Sequence, residues 1–442
     1  MLIALSLASA AHAFCGTYVG KPGDQLINET SRVVLAHDDV YGQTTLTLDM
    51  DVAGASSDFG VVVPVPSGLD ATSVRTVDRA LIDSVMHWAG PRGVAYSCQD
   101  VEDRTRDIGC STGGGGCANV DISLGSEDYL YAKVSTLPPT MDLGGSDLNT
   151  LAVTVEHQFA VAEYDLVILS AESGEDLEAW LSAEGFVMPD GAAELFEDYL
   201  RYDSWFVAAR VRLDSPIHDG SWLSPLQFRY SDHSDTLTVP IRVGTLSGKG
   251  QQEVVVTTIT NGSIPGISTF PEATVDRDCL LDDGTDLTAH YADAVDKAID
   301  DVGGSGWILE HSWSLFVKCD PCPPPSQVSP FSEADLSALG LESALDTWGS
   351  GPRISRLRVR YQLDQVHTDL ALYETGQHDN VQTRFIFGPP GIQPFFPVCG
   401  EGFVDPPAEC PPPADVPKQG ALPLFALLGP LGLVGLGLRR RS

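Results

Sequence analysis

Residues 45–50, Thr45-Leu46-Thr47-Leu48-Asp49-Met50, and residues 59–66, Phe59-Gly60-Val61-Val62-Val63-Pro64-Val65-Pro66, decide how this chain folds. The first run alternates apolar and polar side chains with the period of two that turns one face of a strand to a core. The second is dense in valine, whose branched side chain packs well on a pleated surface. With Val33-Val34-Leu35 upstream, they predict strands over 32–65 separated by turn residues. Working outward, Val74, Val77, Leu81, Val85 and Trp88 recur at helical spacing, and Gly90-Pro91 stops that helix. Residues 97–127 read as loop, charged first and then glycine-rich over 113–116. Residues 151–160 and 164–170 read as two more strands.

A helical pair follows. Ser173 with Asp176 resembles a capping box, and Leu177, Trp180 and Leu181 supply one apolar face before Gly185 ends the helix. Asp190 is placed to cap the next helix, with Leu195, Phe196, Tyr199 and Leu200 on its inner side. Strands return at 205–213, 226–230, 236–243 and 253–259, and residues 260–271 read as a linker or long turn. Beyond it come a helix at 287–299, a strand at 307–318, a helix at 333–348, and strands at 355–363 and 381–387. Regular β-α-β alternation is missing. The expected class is therefore α+β: strand-rich, mostly antiparallel sheets with a helical pair inserted, plus one C-terminal transmembrane-type helix.

The 442 residues suggest two or three domains at roughly 150 residues each. Twenty-six Lys and Arg against 61 Asp and Glu leave a net charge of −35. Such a chain repels phosphate backbones, which argues against nucleic acid as a partner. Residues 2–11 form an apolar run, and Ala11-His12-Ala13 is an A-x-A cleavage pattern, so residues 1–13 read as a signal peptide cut between Ala13 and Phe14. Cys15 raises a lipoprotein alternative, against which stands the bulky Phe14 ahead of it. At the other end, residues 399–420 are a Cys/Pro-rich linker. Ala421 to Leu438 then run eighteen residues without a charge, about 27 Å as a helix, and Arg439, Arg440 and Arg441 follow as a basic flank in the tail 439–442. Three arginines there belong on the cytoplasmic side. Pro423, Pro430 and four glycines weaken that helix, so the tail reads either as a type I anchor or as a sorting segment that a processing enzyme removes. Between the ends, residues 14–260 read as the main α+β domain and 261–398 as a second subdomain or an extension.

The exported reading favours disulfides among the nine cysteines. Cys98, Cys110 and Cys117 surround a glycine-rich loop and predict one local bridge. Cys399 and Cys410 enclose CGEGFVDPPAEC and predict a small stapled loop. Cys319-Asp320-Pro321-Cys322 has C-x-x-C spacing, but Pro323-Pro324-Pro325 forbids the helix that a thioredoxin-like site opens.

Several segments, in order, resemble a bacterial family known as domain of unknown function 2330. They are Cys15-Gly16 and ETSRVVLAHDD, then DFGVVVPVPSG, YDLVILSAESGEDLEAWLSAEGF, WFVAARVRL and LSPLQFRYSDHSDTLTVPIRVG. The similarity covers about residues 14–260. It implies an exported bacterial protein with a signal peptide and often a hydrophobic tail, and it implies no activity. CGEGFVDPPAEC also resembles a cysteine-rich repeat found near the tails of some bacterial surface proteins, with Pro407 in place of the usual glycine.

Motifs that would carry chemistry do not assemble into a catalytic set. Gly109-Cys110-Ser111-Thr112-Gly113 matches the nucleophile elbow, yet a polar charged segment precedes it where a strand is needed. Gly244 to Gly250 is one residue short of a P-loop and ends on glycine where Ser or Thr should meet magnesium. Asp276, Asp278, Asp282, Asp283 and Asp286, near His290, form an acidic loop; no cofactor is expected, with calcium kept as an alternative although the EF-hand pattern fails. Asp165, Glu172 and Glu175 are close in sequence without pointing to acid–base work. Trp180, Trp205, Trp222 and Trp313 fit core packing better than a sugar cleft. The leading expectation is an exported protein, anchored in the envelope or secreted, with a non-enzymatic binding or structural role. Its partners would be the membrane through the tail, or a sorting enzyme, and an unidentified protein or envelope component. An exported hydrolase with dispersed residues and a calcium-dependent adhesion module are the alternatives.

Overall fold

The computed structural model describes residues 15–20, 31–52, 58–96, 118–123, 130–131, 152–212, 221–232, 234, 236–282, 284–315, 331–342, 352–388 and 408–411. Strand Gln43–Val52 realises its alternation: Leu46, Leu48, Met50 and Val52 enter the central core, while Thr45, Thr47 and Asp49 take the other face. It pairs antiparallel with Ser31–Asp38, which pairs parallel with Gln251–Thr260, which pairs antiparallel with Arg353–Gln362. These four are the middle of a ten-stranded sheet. A five-stranded antiparallel sheet runs Thr17–Val19, Asp58–Pro66, Ser204–Arg212, Tyr164–Ala171, Val153–Val161. The short strand Thr17–Val19 covers only residues 60–62 of its neighbour. Pro64 and Pro66 therefore fall where that side of the strand has no partner among the described residues, and a missing N–H costs nothing there.

The two sheets bury one continuous core. Val33, Leu35, Leu48, Val256, Leu357 and Val359 from the larger sheet meet Phe59, Val61, Val63, Leu166, Ile168 and Val207 from the smaller. Helices cover the outer faces. Helix α1 (Arg79–Trp88) packs Ile82, Val85 and Met86 on Val34, Val255 and Ile354 of the larger sheet. Helices α2 (Gly174–Ala183) and α3 (Ala192–Leu200) pack on Val62, Val167 and Phe206 of the smaller. Helix α4 (Leu287–Asp301) lies with Ile308 and Phe385, and α5 (Glu333–Ala338) adds Leu336 to the α1 cluster. Four layers result, helix, sheet, sheet, helix. The class is α+β, strand-rich and mostly antiparallel, with the α2–α3 pair between strands Tyr164–Ala171 and Ser204–Arg212. Strands Gly306–Ser314 and Arg353–Gln362, from beyond residue 260, lie in the same sheet as Ser31–Asp38. No helix among the described residues is long and apolar enough to cross a membrane, and residues 421–438 lie outside them.

Several local expectations change. Val74 sits in strand Val74–Thr76, and α1 starts only at Arg79, where the Asp78 carboxylate accepts from the Ala80 N–H. Ser173 caps α2 as its sequence suggests, but α3 is capped by Gly191 at φ 84° and not by Asp190. A left-handed residue turns the chain there, and glycine takes that conformation without a Cβ clash. Gly174 serves a different need: a Cβ on it would collide with the Ala193 carbonyl, so its absence lets α2 and α3 approach. Residues 118–123, read as loop, form strand Ala118–Ser123. The 236–243 run yields only strand Leu237–Val239 before a 3-10 turn. Residues 260–271 hold a short strand, Pro265–Ile267. Helix α5 stops at Ala338, with Gly340 at φ 106° two residues on.

The outer face of the larger sheet carries charge under its helices. Arg356, Arg358 and Arg360 alternate with Leu357, Val359 and Tyr361 of the core. Glu310 sits at a register shift between Leu309 and His311 and is fully buried. It accepts from Arg356 Nε at 2.6 Å, from Arg358 Nε, and from the Tyr291 hydroxyl at 2.6 Å. Glu253 accepts from Arg358 and from Arg360, the latter at 2.7 Å. A second network joins Arg32, Asp49 and Arg79, and Arg32 reaches Asp83 at 2.8 Å. Burial alone would raise the Glu310 carboxyl; Arg358, Arg356 and the Tyr291 hydroxyl outweigh it and hold it at about 2.

His311 is its neighbour and its opposite. The ring is 1% exposed, lies edge-on to Trp88 at 4.8 Å between centroids, and offers two nitrogens that have no hydrogen-bond partner among the described residues. Burial first, then Arg92, Arg356 and Arg353, push its pKa well below the ordinary value. A folded pKa below the unfolded one means stability that is complete above about pH 6.5 and lost as pH falls through that value. The urea midpoint should drop between pH 7.5 and 5.5, with a slope reaching about 1.4 kcal/mol per pH unit. His311→Phe should flatten that slope. An unchanged slope in the variant would show that the loss arises elsewhere.

Candidate functional site: a polar cleft

A cleft of about 700 Å³ opens where four remote parts of the chain meet. One wall is the hairpin turn between strands Ser31–Asp38 and Gln43–Val52. The buried Asp38 carboxylate accepts from the Val40 N–H at 3.1 Å and the Tyr41 N–H at 3.3 Å, and Gly42 at φ 58° completes the turn. The turn holds Tyr41 out at the rim, 59% exposed. The other wall follows strand Asp58–Pro66, where Leu69 drops into the core and Asp70 caps the 3-10 turn Ala71–Ser73. Four donors converge on Asp70 Oδ1: the Thr72 N–H at 2.7 Å and hydroxyl at 2.6 Å, and the Ser73 N–H at 3.0 Å and hydroxyl at 3.1 Å. They fix the carboxylate, leave Oδ2 open, and hold its pKa below the usual range.

The floor comes from the larger sheet. Arg229 donates through Nε to Gln43 Oε1 at 2.8 Å and through NH1 to Glu342 at 2.6 Å, so its charge is answered inside the cleft. On the rim, the Ser67 hydroxyl donates to Asp203 at 2.7 Å, and Tyr202 beside it is 84% exposed. Tyr41, on the lining itself, is one of five large exposed hydrophobic residues among those described. The described lining offers hydroxyls, an amide, two carboxylates and a guanidinium, without histidine, cysteine or lysine. It can bind a polar ligand, and its hydroxyl–carboxylate contacts are those of the Asp70 cap, made by residues two and three positions on.

None of these cleft residues stands out in the sequence. Asp70 with Thr72 and Ser73 is legible as a cap, but nothing local joins residues 41, 70, 229 and 342. Of the residues that sequence reasoning did single out, Ala13, Phe14, Cys98, Cys110, Cys117, Ser111, Cys319, Cys322, Cys399, Asp283 and Arg439 to Arg441 lie outside the described residues. Cys410 corrects an expectation: it is bonded to Cys279 and not to Cys399. Glu409 bridges Leu280, and paired backbone hydrogen bonds of 2.8 and 2.9 Å set Cys410 beside Cys279. Cys15 is buried in the central core with a free thiol. In the acidic loop, Asp278 pairs with Arg384 and Asp286 caps α4. No group of three His, Cys, Asp or Glu residues is placed to hold a metal ion among the described residues. Val243–Leu246 of the P-loop-like run is a 3-10 turn. Asp165 lies in a strand and Glu175 in the first turn of α2. Trp180 is a core residue, Trp205 and Trp313 pack partly buried against cores, and the Trp222 side chain lies outside the described set.

The family described as an uncharacterized protein conserved in bacteria (DUF2330) matches residues 9–268. The chain belongs to this family. The DUF2330 span contains the whole smaller sheet, α1 to α3 and most of the cleft, while Glu342 and strands Gly306–Ser314 and Arg353–Gln362 follow it. No curated protein matches the chain. Among solved structures, the crystal structure of baculovirus P35 aligns over 80% of this chain and 97% of that one, at 10% identity and a TM-score of 0.25. A score that low carries no argument about fold or function.

Proposed function

We propose that this DUF2330 protein is an exported, non-enzymatic binding module of the bacterial envelope, held by its tail or released after the tail is cut. The observation that carries the reading is the cleft, an open polar site with the exposed Tyr41 on its lining, in which Arg229 is paired with Glu342 and Asp70 is fixed by Thr72 and Ser73. Tyrosine and arginine are the residues that binding surfaces favour, because each offers large contact area with a polar tip. Export is supported by the Cys279–Cys410 disulfide, since such bonds persist in oxidising compartments. The A-x-A pattern before Phe14 and the apolar run at 421–438 point the same way.

Co-sedimentation tests the reading. Full-length protein purified from the producing bacterium should sediment with isolated envelopes of that bacterium after the apolar tail is masked in detergent. The double variant Tyr41→Ala/Asp70→Asn should lose at least about tenfold in apparent affinity, roughly 1.4 kcal/mol. Equal sedimentation of variant and wild type, or none for either, would overturn it.

A further inference from the structure

Resting on that reading, we propose that the cleft takes a neutral polyhydroxylated ligand, a saccharide of a few rings from an envelope polysaccharide. The walls present planar polar groups that are already immobilised. Asp70 Oδ1 is saturated by four donors while Oδ2 stays open, and Arg229 bridges Gln43 to Glu342. A fixed carboxylate, amide and guanidinium suit vicinal hydroxyls, which donate and accept at once, and little side-chain entropy remains to be lost on binding. Ser67, Thr72, Ser73 and Ser231 add hydroxyls along the same lining. At the rim, the exposed Tyr41 ring supplies an apolar face of the kind on which a sugar's C–H face rests.

Charge and polarity remove the competitors. One guanidinium stands against two carboxylates in the cleft, and the whole chain carries −35, so a polyanion meets repulsion at short and long range. A lipid chain would need an apolar wall, and burying this lining's polar groups against methylenes would leave them unsatisfied. A basic peptide is attracted by the overall charge, but the lining has no deep apolar pocket for its side chains. The volume of about 700 Å³ suits a small ligand.

The test uses the full-length, disulfide-bonded protein and three probes: the neutral polysaccharide fraction of the producer's envelope, the anionic fraction, and polylysine. Calorimetry should show binding to the neutral fraction, unchanged between 0.05 and 0.5 M salt, because no counterions are released. Tyr41→Ala and Asp70→Asn should each weaken it at least tenfold at an unchanged melting temperature. Tyr373→Ala, an exposed tyrosine outside the cleft, should retain full binding. Binding only to polylysine, or only to the anionic fraction, would overturn the saccharide assignment, as would silence with all three probes. If envelope sedimentation still depends on Tyr41 and Asp70 in that case, the binding-module reading stands and only the ligand class falls. If sedimentation is absent as well, both fall.

Discussion

Glu310→Gln should lower the unfolding free energy by about 3–5 kcal/mol, the largest effect expected of any single side chain in this protein. The substitution keeps volume and shape, so what is lost is charge. Arg356 and Arg358 both depend on that carboxylate, and Glu310 has no exposure through which water could replace it. Glu253 still answers Arg358, which leaves Arg356 with the greater deficit. The Tyr291 hydroxyl keeps an acceptor in the amide oxygen, so its link from α4 to the sheet survives. Urea unfolding at pH 7 measures the loss; a change below about 1 kcal/mol would show that water or a shift of α4 satisfies the arginines. The acid limb checks the same network. The folded pKa of about 2 lies below the ordinary 4.5, so this contribution is complete above pH 4.5 and is lost as pH falls from there toward 2. Wild type should lose stability more steeply in that window than Glu310→Gln, which lacks this contribution and keeps those of His311 and Glu253.

Cys410→Ser should cost about 2–5 kcal/mol. The disulfide joins residues 131 apart, and a loop that long restricts the unfolded chain by close to 5 kcal/mol on the chain-entropy account. The native side of the balance is local. Cys410 packs against the α4 cluster, and the Leu280 hydrogen bonds to Ala408 and Cys410 hold it beside strand Cys279–Asp282. Wild type unfolded in reducing buffer should lose at least as much as the variant loses in non-reducing buffer. If reduction leaves the urea midpoint of the wild type where it was, the bond contributes no stability.

The legible parts of the fold are those set by neighbours in the chain. Strand Gln43–Val52 was readable because Leu46, Leu48 and Met50 alternate with threonine and aspartate, and one face of a strand repeats every second residue. The Ser173 cap was readable because its partner, the Asp176 N–H, is three residues away. Val74 misled because an apolar residue at helical spacing also fits a strand when the run is short, and pairing with Phe228 decided the matter. The cap of α3 misled because aspartate is a good cap only when the backbone enters extended, and here Gly191 turns in left-handed. The cleft was not legible at all. Tyr41 and Asp70 belong to different sheets' connections, and Arg229 and Glu342 are 113 residues apart.

The sequence by itself determined the acidic character, the strand-rich α+β class, the family and most element positions, because composition and periodicity are properties of adjacent residues. Tertiary structure alone decided that Cys410 meets Cys279, that Glu310 is answered by Arg356 and Arg358, and that four remote segments enclose one polar cleft. Those pairings follow from which strands lie side by side in a sheet. That order is chosen by the burial of whole faces, and no short stretch of chain contains it.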